Sequence, residues 1–167
     1  NSTISNSYAT GSVTGSNEVG GLVGGNDNST ISNSYTTGSV SGDYSVGGLV
    51  GYNYDTSKIE NSYATSSVSG VTDYVGGLVG LNVATITNSF YDKEKNTNYN
   101  NGLGTGKTTT ELQDINTFLN AGWSITADST LAKGTPIFRN GSWVIGTKVT
   151  PNPTPNPTPN PTPNPTP

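Results

Sequence analysis

Apolar residues recur in aligned columns along the first 91 residues, at steps of 27 to 29 residues. The columns hold isoleucine at 4, 31, 59 and 86, an aromatic residue at 8, 35, 63 and 90, valine at 13, 40 and 68, and leucine at 22, 49 and 78. Polar residues and glycine fill the positions between the columns. Because several columns keep almost the same step, the segment is predicted to repeat one structural unit.

Each repeat contains three short apolar runs, exemplified by "TISNSY", "GSV" and "VGGLVG", with turn-forming residues between them. None of the runs shows the 3.6-residue period of a helix. A unit of this size cannot bury its own apolar side chains, so it must stack on its neighbours. The pattern therefore predicts an all-β fold, a right-handed parallel β-helix with three short strands per coil and coils about 4.8 Å apart.

The columns also predict what occupies the interior of this β-helix. We expect the isoleucine, tyrosine, valine and leucine columns all to form ladders inside a narrow core. The asparagines at 6, 33, 61 and 88 keep the same step, and we interpret them as a stacked amide ladder at a bend, each side chain bonding to the next. The alternative is that these asparagines face a binding site.

The chain changes character after residue 91. We predict β-solenoid repeats over 1–91, a loop over 92–107, and a small α/β capping segment over 108–148. Within that segment one helix is expected over 108–120, because Thr108 and Glu111 form a capping box and Gly122 can end the helix. Short strands should follow it, and the helix is expected to cover the open lower edge of the last coil, where exposed strands would invite aggregation.

The last segment, 149–167, repeats the letters PNPT and has proline at every second position from 151. Proline removes backbone donors and favours the extended polyproline II conformation. This tail is therefore predicted to be a disordered but semi-rigid linker without a packed fold.

Composition narrows the possible functions. Of the 167 residues, 29% are hydrophobic and 11% are charged, which fits a thin ladder core better than a thick conventional one. A net charge of −4, from 7 basic and 11 acidic residues, gives no electrostatic footprint for nucleic acid. No apolar run approaches the roughly 20 residues that a membrane-spanning helix needs. We therefore expect neither nucleic-acid binding nor membrane insertion.

The chemistry-bearing residues are few. The sequence has no cysteine and no histidine, so disulfides, thiolate catalysis and the commonest general base and zinc ligand are missing. The stretch "NGLGTGKTT" at 101–109 has Asn101 where a phosphate-binding P-loop needs glycine. The loop carboxylates are interpreted as solvated side chains rather than catalytic pairs. We expect no enzymatic activity, no cofactor and no metal site.

Three repeats contain the near-identical phrases "GGLVGGN", "GGLVGYN" and "GGLVGLN", and the repeats also share three copies of "NSY" and one of "NSF". Over residues 1–91 this pattern resembles the GLUG-motif repeat. That repeat occurs in filamentous haemagglutinin-like adhesins of bacteria and in the stalks of surface peptidases that cleave immunoglobulin A. The resemblance implies an extracellular or cell-surface bacterial protein.

The expected function follows from this resemblance. The chain is predicted to be a structural and adhesive rod that displays side loops to a host-cell glycan or protein, or that stacks on neighbouring repeats. One alternative is the non-catalytic stalk of a surface peptidase, and another is a β-helix enzyme acting on polysaccharides. Exposed aromatic rings beside carboxylates suit stacking on sugars or anchoring a protein. The candidate ligand-contact residues are Tyr44, Tyr52, Tyr54, Asp55, Asp73 and Tyr74.

Overall fold

The repeats form a parallel β-solenoid in the computed structural model, which describes residues 1–71, 74–98 and 103–149. Three coils are complete and a fourth is begun. The predicted linker from residue 150 onward lies outside the described residues, as does Asp73. The predicted all-β solenoid with a repeat of about 27 residues is confirmed.

Each complete coil contains five short strands rather than the predicted three. The first coil has β1 (Thr3–Ser5), β2 (Tyr8–Ala9), β3 (Val13–Thr14), β4 (Asn17–Gly20) and β5 (Val23–Asn26). The second has β6 (Thr30–Ser32), β7 (Tyr35–Thr36), β8 (Ser39–Ser41), β9 (Tyr44–Gly47) and β10 (Val50–Asn53). The third has β11 (Lys58–Glu60), β12 (Tyr63–Ala64), β13 (Ser67–Ser69), β14 (Val75–Gly76) and β15 (Val79–Asn82). The fourth begins with β16 (Thr85–Thr87) and β17 (Phe90–Asp92).

Equivalent strands of successive coils pair in parallel and in register. They form five sheets: the isoleucine sheet (β1, β6, β11, β16), the aromatic sheet (β2, β7, β12, β17), a third sheet (β3, β8, β13), a fourth (β4, β9, β14) and a fifth (β5, β10, β15). The register places Ile4 beside Ile31 and Tyr8 beside Tyr35. Each column of the sequence therefore forms a ladder of side chains that runs from coil to coil along one sheet.

The extra strands arise because corners divide the longer apolar runs. In "TISNSY" the asparagine between β1 and β2, Asn6, has a φ of +54°. Its equivalents Asn33, Asn61 and Asn88 have φ values of +49°, +46° and +47°. Asparagine is among the few non-glycine residues that tolerate this left-handed conformation. The regular spacing of these asparagines along the chain therefore reflects a backbone corner that separates two strands in each coil.

The solenoid interior holds two buried apolar clusters. One contains the isoleucine and leucine columns and the valines of the fifth sheet, with Ile31, Leu49 and Ile59 fully buried. The other consists of valines from the third and fourth sheets, such as Val40 and Val46. Each coil adds only a few apolar side chains to each cluster, which explains how 29% hydrophobic residues suffice.

The tyrosine column is not part of this interior, contrary to the sequence prediction. Tyr35, Tyr63 and Phe90 belong to a separate cluster with residues of the C-terminal segment. The strands of the aromatic sheet are only two or three residues long, and side chains alternate between their two faces. Ala64, next to Tyr63, packs in the interior cluster instead. The aromatic ladder therefore forms an outer wall of the solenoid.

The amide ladder exists, but at other asparagines than predicted. The side-chain amide of Asn26 donates to Asn53 Oδ1 at 2.7 Å, and the amide of Asn53 donates to Asn82 Oδ1 at 2.7 Å. These residues end the "GGLVG-x-N" phrases, and Asn53 is fully buried. Among the described residues, every buried side-chain polar atom has a hydrogen-bond partner. The ladder is thus a satisfied polar spine inside the stack.

The C-terminal segment packs along the aromatic wall. It contains a 3-10 helix (Glu111–Gln113), α1 (Ile115–Leu119), β19 (Ile125–Ala132), β20 (Ile137–Arg139) and β21 (Ser142–Lys148). Strand β21 is central, parallel to β19 and antiparallel to β20. The predicted capping box is present: Thr108 N–H donates to Glu111 Oε2 at 2.7 Å, and Glu111 N–H donates to Thr108 Oγ1 at 3.1 Å. The single predicted helix is divided at Asp114, which caps α1 by accepting from Asn116 N–H.

Two tryptophans attach this segment to the solenoid. Trp123 lies 5.9 Å from Phe90, and Trp143 lies 5.8 Å from Tyr35, measured between ring centroids. The indole N–H of Trp123 donates to the Asn88 carbonyl oxygen at 2.9 Å. The segment therefore covers the side of the stack, and the prediction that its helix covers the lower edge of the last coil is wrong.

Other residues close the lower end. Within the predicted loop 92–107, β18 (Thr105–Lys107) pairs with β17 and extends the aromatic sheet by one strand. The Asn96 side chain bonds the free edge of β13, accepting from Val68 N–H at 2.9 Å and donating to the Ser66 carbonyl oxygen at 2.8 Å. Tyr91 is fully buried in the interior cluster below Gly77. Strand β18, the Asn96 amide and the Tyr91 ring therefore cover the lower end, which the helix was expected to cover.

Candidate ligand-contact surface

Two of the predicted contact residues, Tyr52 and Tyr54, are half-buried at the surface and form one cluster with an exposed acidic residue. Their ring centroids are 3.7 Å apart and their planes are inclined by 33°. The Tyr54 hydroxyl donates a hydrogen bond to Glu18 Oε1. We call Glu18, Tyr52 and Tyr54 the tyrosine cluster. It joins the first coil to the second on the outside of the rod.

The local sequence explains this arrangement. Tyr52 lies in β10 and is paired with Gly25 of the coil above and Leu81 of the coil below. A side chain on Gly25 would lie 3.3 Å from the Tyr54 ring and 2.9 Å from Glu18 Oε2. Because Gly25 has no side chain, Tyr54 can lie over the first coil and reach Glu18. Glu18 itself is at a backbone corner with a φ of +50°.

The contact with Glu18 affects the acidity of Tyr54. The hydrogen bond to the carboxylate, with smaller contributions from burial and nearby negative charge, raises the pKa of Tyr54 to about 12. The phenol therefore stays protonated at physiological pH and acts as a donor. The cluster presents two aromatic rings with a carboxylate at their edge, a combination suited to stacking and to accepting hydrogen bonds.

The other predicted contact residues are spread along the rod. Tyr44 begins β9 in the fourth sheet and is 55% exposed, and Tyr74 lies just before β14 and is 47% exposed. Asp55 follows Tyr54 in an exposed turn with a φ of +42°. Asp73 lies outside the described residues. Among the described residues, no aromatic ring contact joins Tyr44 to Tyr52 or Tyr54.

Glu18 was not among the predicted contact residues, although it completes the cluster. Its partner Tyr54 is 36 residues away, more than one repeat. The available signal was the missing side chain at position 25, where the next two repeats carry Tyr52 and Leu81. A glycine that replaces a large side chain in one repeat marks a place where a neighbouring coil can lean over it.

Two further observations concern metals and membranes. The described residues contain no group of three or more acidic side chains close enough to hold a metal ion. In the same part of the chain, no helix combines the length and the apolar character required to traverse a lipid bilayer. Of the acidic side chains that the structure places, Glu18 and Asp55 lie on the coils, whereas Glu111 and Asp128 lie in the C-terminal segment.

Comparison with known families now adds to the geometry. The family profile of the GLUG motif matches twice, over residues 15–41 and 42–69. The chain contains GLUG-motif repeats. Each matched range has the length of about one coil, and both GLUG matches lie in the solenoid that the structure shows. GLUG repeats are typical of surface or secreted repeat proteins. No curated protein and no solved structure gives a significant match to the chain.

Proposed function

We propose that this chain is a structural and adhesive segment of a bacterial surface or secreted adhesin. In this proposal the solenoid is a rod that displays side groups to a host-cell or matrix ligand, and catalysis is not part of its role. The observation that supports it most is the tyrosine cluster. The stack of GLUG coils holds two adjacent half-buried aromatic rings and an exposed carboxylate at its surface, where the first coil meets the second.

Rigidity matters for such a role because ordering costs reduce binding affinity. Side chains fixed before contact lose less conformational entropy on binding than side chains in a mobile loop. Tyr52 is part of a β-strand and Tyr54 is tied to Glu18. Repetition along a longer rod would add avidity, since linked sites raise the effective concentration of one another.

The test is a glycan and matrix-protein array probed with the chain, followed by cell binding. We expect the double variant Tyr52→Ala, Tyr54→Ala to lose most of the cell-binding signal, and Tyr54→Phe to lose less of it because the rings remain. A matched control is Tyr8→Ala, which removes a tyrosine that is 58% exposed on another sheet. Equal binding by the wild type and the double variant would refute the proposed contact surface. Absence of any ligand would favour the alternative of a passive stalk that supports a peptidase domain.

A further inference from the structure

A groove runs between the asparagine corners of the solenoid and the C-terminal segment. One side is the row Asn6, Asn33 and Asn61, one from each complete coil. The opposite side and ends are lined by Gly122, Ser124, Phe138, Gly141, Ser142 and Trp143. We call this space the asparagine groove. Its volume is about 440 Å³, which is within the usual range of small-molecule sites of about 300–1,000 Å³.

The amides of the row are available to a ligand. Asn6 and Asn61 form no side-chain hydrogen bond with any described residue, although their backbone N–H groups bond to the next coil. Asn33 accepts a long hydrogen bond from the Trp143 indole N–H at 3.4 Å. That bond uses only the amide oxygen and fixes the ring plane beside it, so the amide N–H groups of Asn33 remain free to donate.

The row also has a regular spacing. The three corners belong to adjacent coils in register, so successive amides are about 4.8 Å apart and the row is about 10 Å long. Each amide offers donors and an acceptor. A linear ligand with a hydroxyl-bearing unit at a similar interval would meet one amide per unit. An extended chain of pyranose rings has this kind of repeat.

The part of the lining that comes from the C-terminal segment includes one partly accessible aromatic ring, which is firmly held. Phe138 is half-buried and packs edge-to-face against Trp143, with ring centroids 5.5 Å apart and planes at 89°. Trp143 is 3% exposed and packs in turn against Tyr35 and Tyr63. The C–H faces of a sugar ring are apolar, so the Phe138 ring, together with a row of amides and two serines, suits a saccharide.

Charge decides between classes of ligand. All nine lining residues are uncharged: asparagine, serine, glycine, phenylalanine and tryptophan. An anionic ligand would find no lysine or arginine there, and a cationic ligand would find no carboxylate. Amide and hydroxyl groups that both donate and accept, with one aromatic ring among them, match a neutral polyhydroxyl compound.

We infer that the asparagine groove is a binding site for a neutral oligosaccharide, which lies along the row of asparagines with one ring against Phe138. The site is separate from the tyrosine cluster. It deepens the proposed adhesive role by naming a ligand class, and it rests on that role only for its biological setting. Binding requires no covalent step.

Glycine at the corners provides a specific test. Asn61→Gly removes the amide and keeps a residue that adopts a φ of +46° without strain. Ser124→Trp, at an exposed lining position, fills the groove while leaving the row intact. Asn28→Gly is the matched control, because Asn28 has the same φ of +46° but does not line the groove. Thermal unfolding followed by circular dichroism verifies that each variant is folded.

The probes are neutral cello-, malto- and chito-oligosaccharides, with a glucuronate-containing oligosaccharide as the charged comparison, and binding is measured by calorimetry and by tryptophan fluorescence. We expect saturable binding of at least one neutral probe. Affinity should fall about tenfold in Asn61→Gly, consistent with the loss of one or two hydrogen bonds. It should be lost in Ser124→Trp and unchanged in Asn28→Gly.

Two results would overturn the inference: no neutral probe binding the folded wild type, or full affinity in both groove variants. The double variant Tyr52→Ala, Tyr54→Ala separates this inference from the proposed function. Oligosaccharide binding retained by that variant, together with lost cell binding, would support both sites. Cell binding that depends on the tyrosine cluster while no oligosaccharide binds would leave the adhesive role in place and refute the groove.

Discussion

The hydroxyl of Tyr63 donates a hydrogen bond to the carbonyl oxygen of Pro136, which is 73 residues away in the chain. Tyr63 is fully buried at the centre of the aromatic wall, between Tyr35 above and Phe90 below. The bond therefore joins the third coil to the C-terminal segment at a buried position. Through this contact the stability of the solenoid depends on residues that follow it by half the length of the chain.

Replacing Tyr63 with phenylalanine tests this coupling. The ring contacts remain, but the Pro136 carbonyl loses its buried donor, so we expect the free energy of unfolding to fall by about 1–3 kcal/mol. Urea denaturation followed by circular dichroism measures the change. The control Tyr8→Phe should change stability little because Tyr8 is 58% exposed. Equal effects of the two substitutions would contradict a special role for the Tyr63 hydroxyl.

Alkaline pH should weaken the fold through the same residue. Burial raises the pKa of Tyr63 above its ordinary value of 10.0. In the unfolded chain this tyrosine loses its proton near pH 10, whereas in the folded protein it keeps the proton, so the folded state binds more protons above that pH. Stability from this group is therefore complete below about pH 10 and declines above it, by up to about 1.4 kcal/mol per pH unit.

The measurement is the free energy of unfolding in urea at a series of pH values from about 9 to about 11. The Tyr63→Phe variant should show a shallower decline than the wild type. Phenolate absorbance offers a second measure, because Tyr63 should ionise only as the protein unfolds. A decline of the same steepness in both proteins would assign the effect to other groups.

The amide ladder and the asparagine corners predict different effects on stability. Substitution in the buried ladder should destabilise the protein, whereas substitution at a corner should have little effect. Asn53→Leu removes the amide contacts with Asn26 and Asn82 and leaves Asn82 Oδ1 with only the long hydrogen bond from Ala84 N–H at 3.4 Å, so we expect a loss of about 1–3 kcal/mol. Asn88→Gly removes a corner side chain at a φ of +47°, which glycine tolerates, and should change stability little. Thermal and urea unfolding of both variants give the comparison. A larger loss of stability in Asn88→Gly than in Asn53→Leu would mean that the corner amides stabilise the stack more than the buried ladder does.

The close packing of Gly77 above the Tyr91 ring predicts a steric effect. A methyl group on Gly77 would lie 2.2 Å from the Tyr91 ring, and Tyr91 is fully buried and cannot move aside easily. Gly77→Ala should therefore cost at least about 1–3 kcal/mol of stability. The control Gly11→Ala meets no atom within 4 Å, so its melting temperature should stay close to that of the wild type. A stable Gly77→Ala variant would show that the last coil can open to admit the methyl group.

The sequence predicts the repeat well because the residues of each column are direct neighbours on adjacent strands of a parallel sheet. Ile31 and Ile59 are neighbours in space for the same reason that they are one period apart in sequence. The corners were harder to find. Asn33 and Asn53 both have an equivalent asparagine in every repeat. The sequence alone does not show that the first is a corner residue with left-handed backbone and that the second belongs to the buried amide ladder.

Contacts that break the repeat are the least predictable. The tyrosine column is periodic, but nothing in its period tells which face of a two-residue strand points inward. That depends on Trp123 and Trp143, which lie outside the repeats and supply the apolar partners of the outer face. The pairing of Tyr54 with Glu18 likewise depends on a single irregular glycine, Gly25. For the same reason the asparagine groove, lined from both regions, is visible only after folding.

The Asn96 amide forms the hydrogen bonds at the edge of β13 that a neighbouring strand would form. The two ends of the stack therefore differ. On that side growth has ended, since an added rung would displace the side chain from Val68 and Ser66. On the opposite side β1 pairs only with β6 in the part of the chain that the structure describes, and a further 27-residue unit in the same register would leave every contact of Asn96 untouched. Repeat units added beyond β1 would thus lengthen the stack by whole coils without changing the end that Asn96 closes.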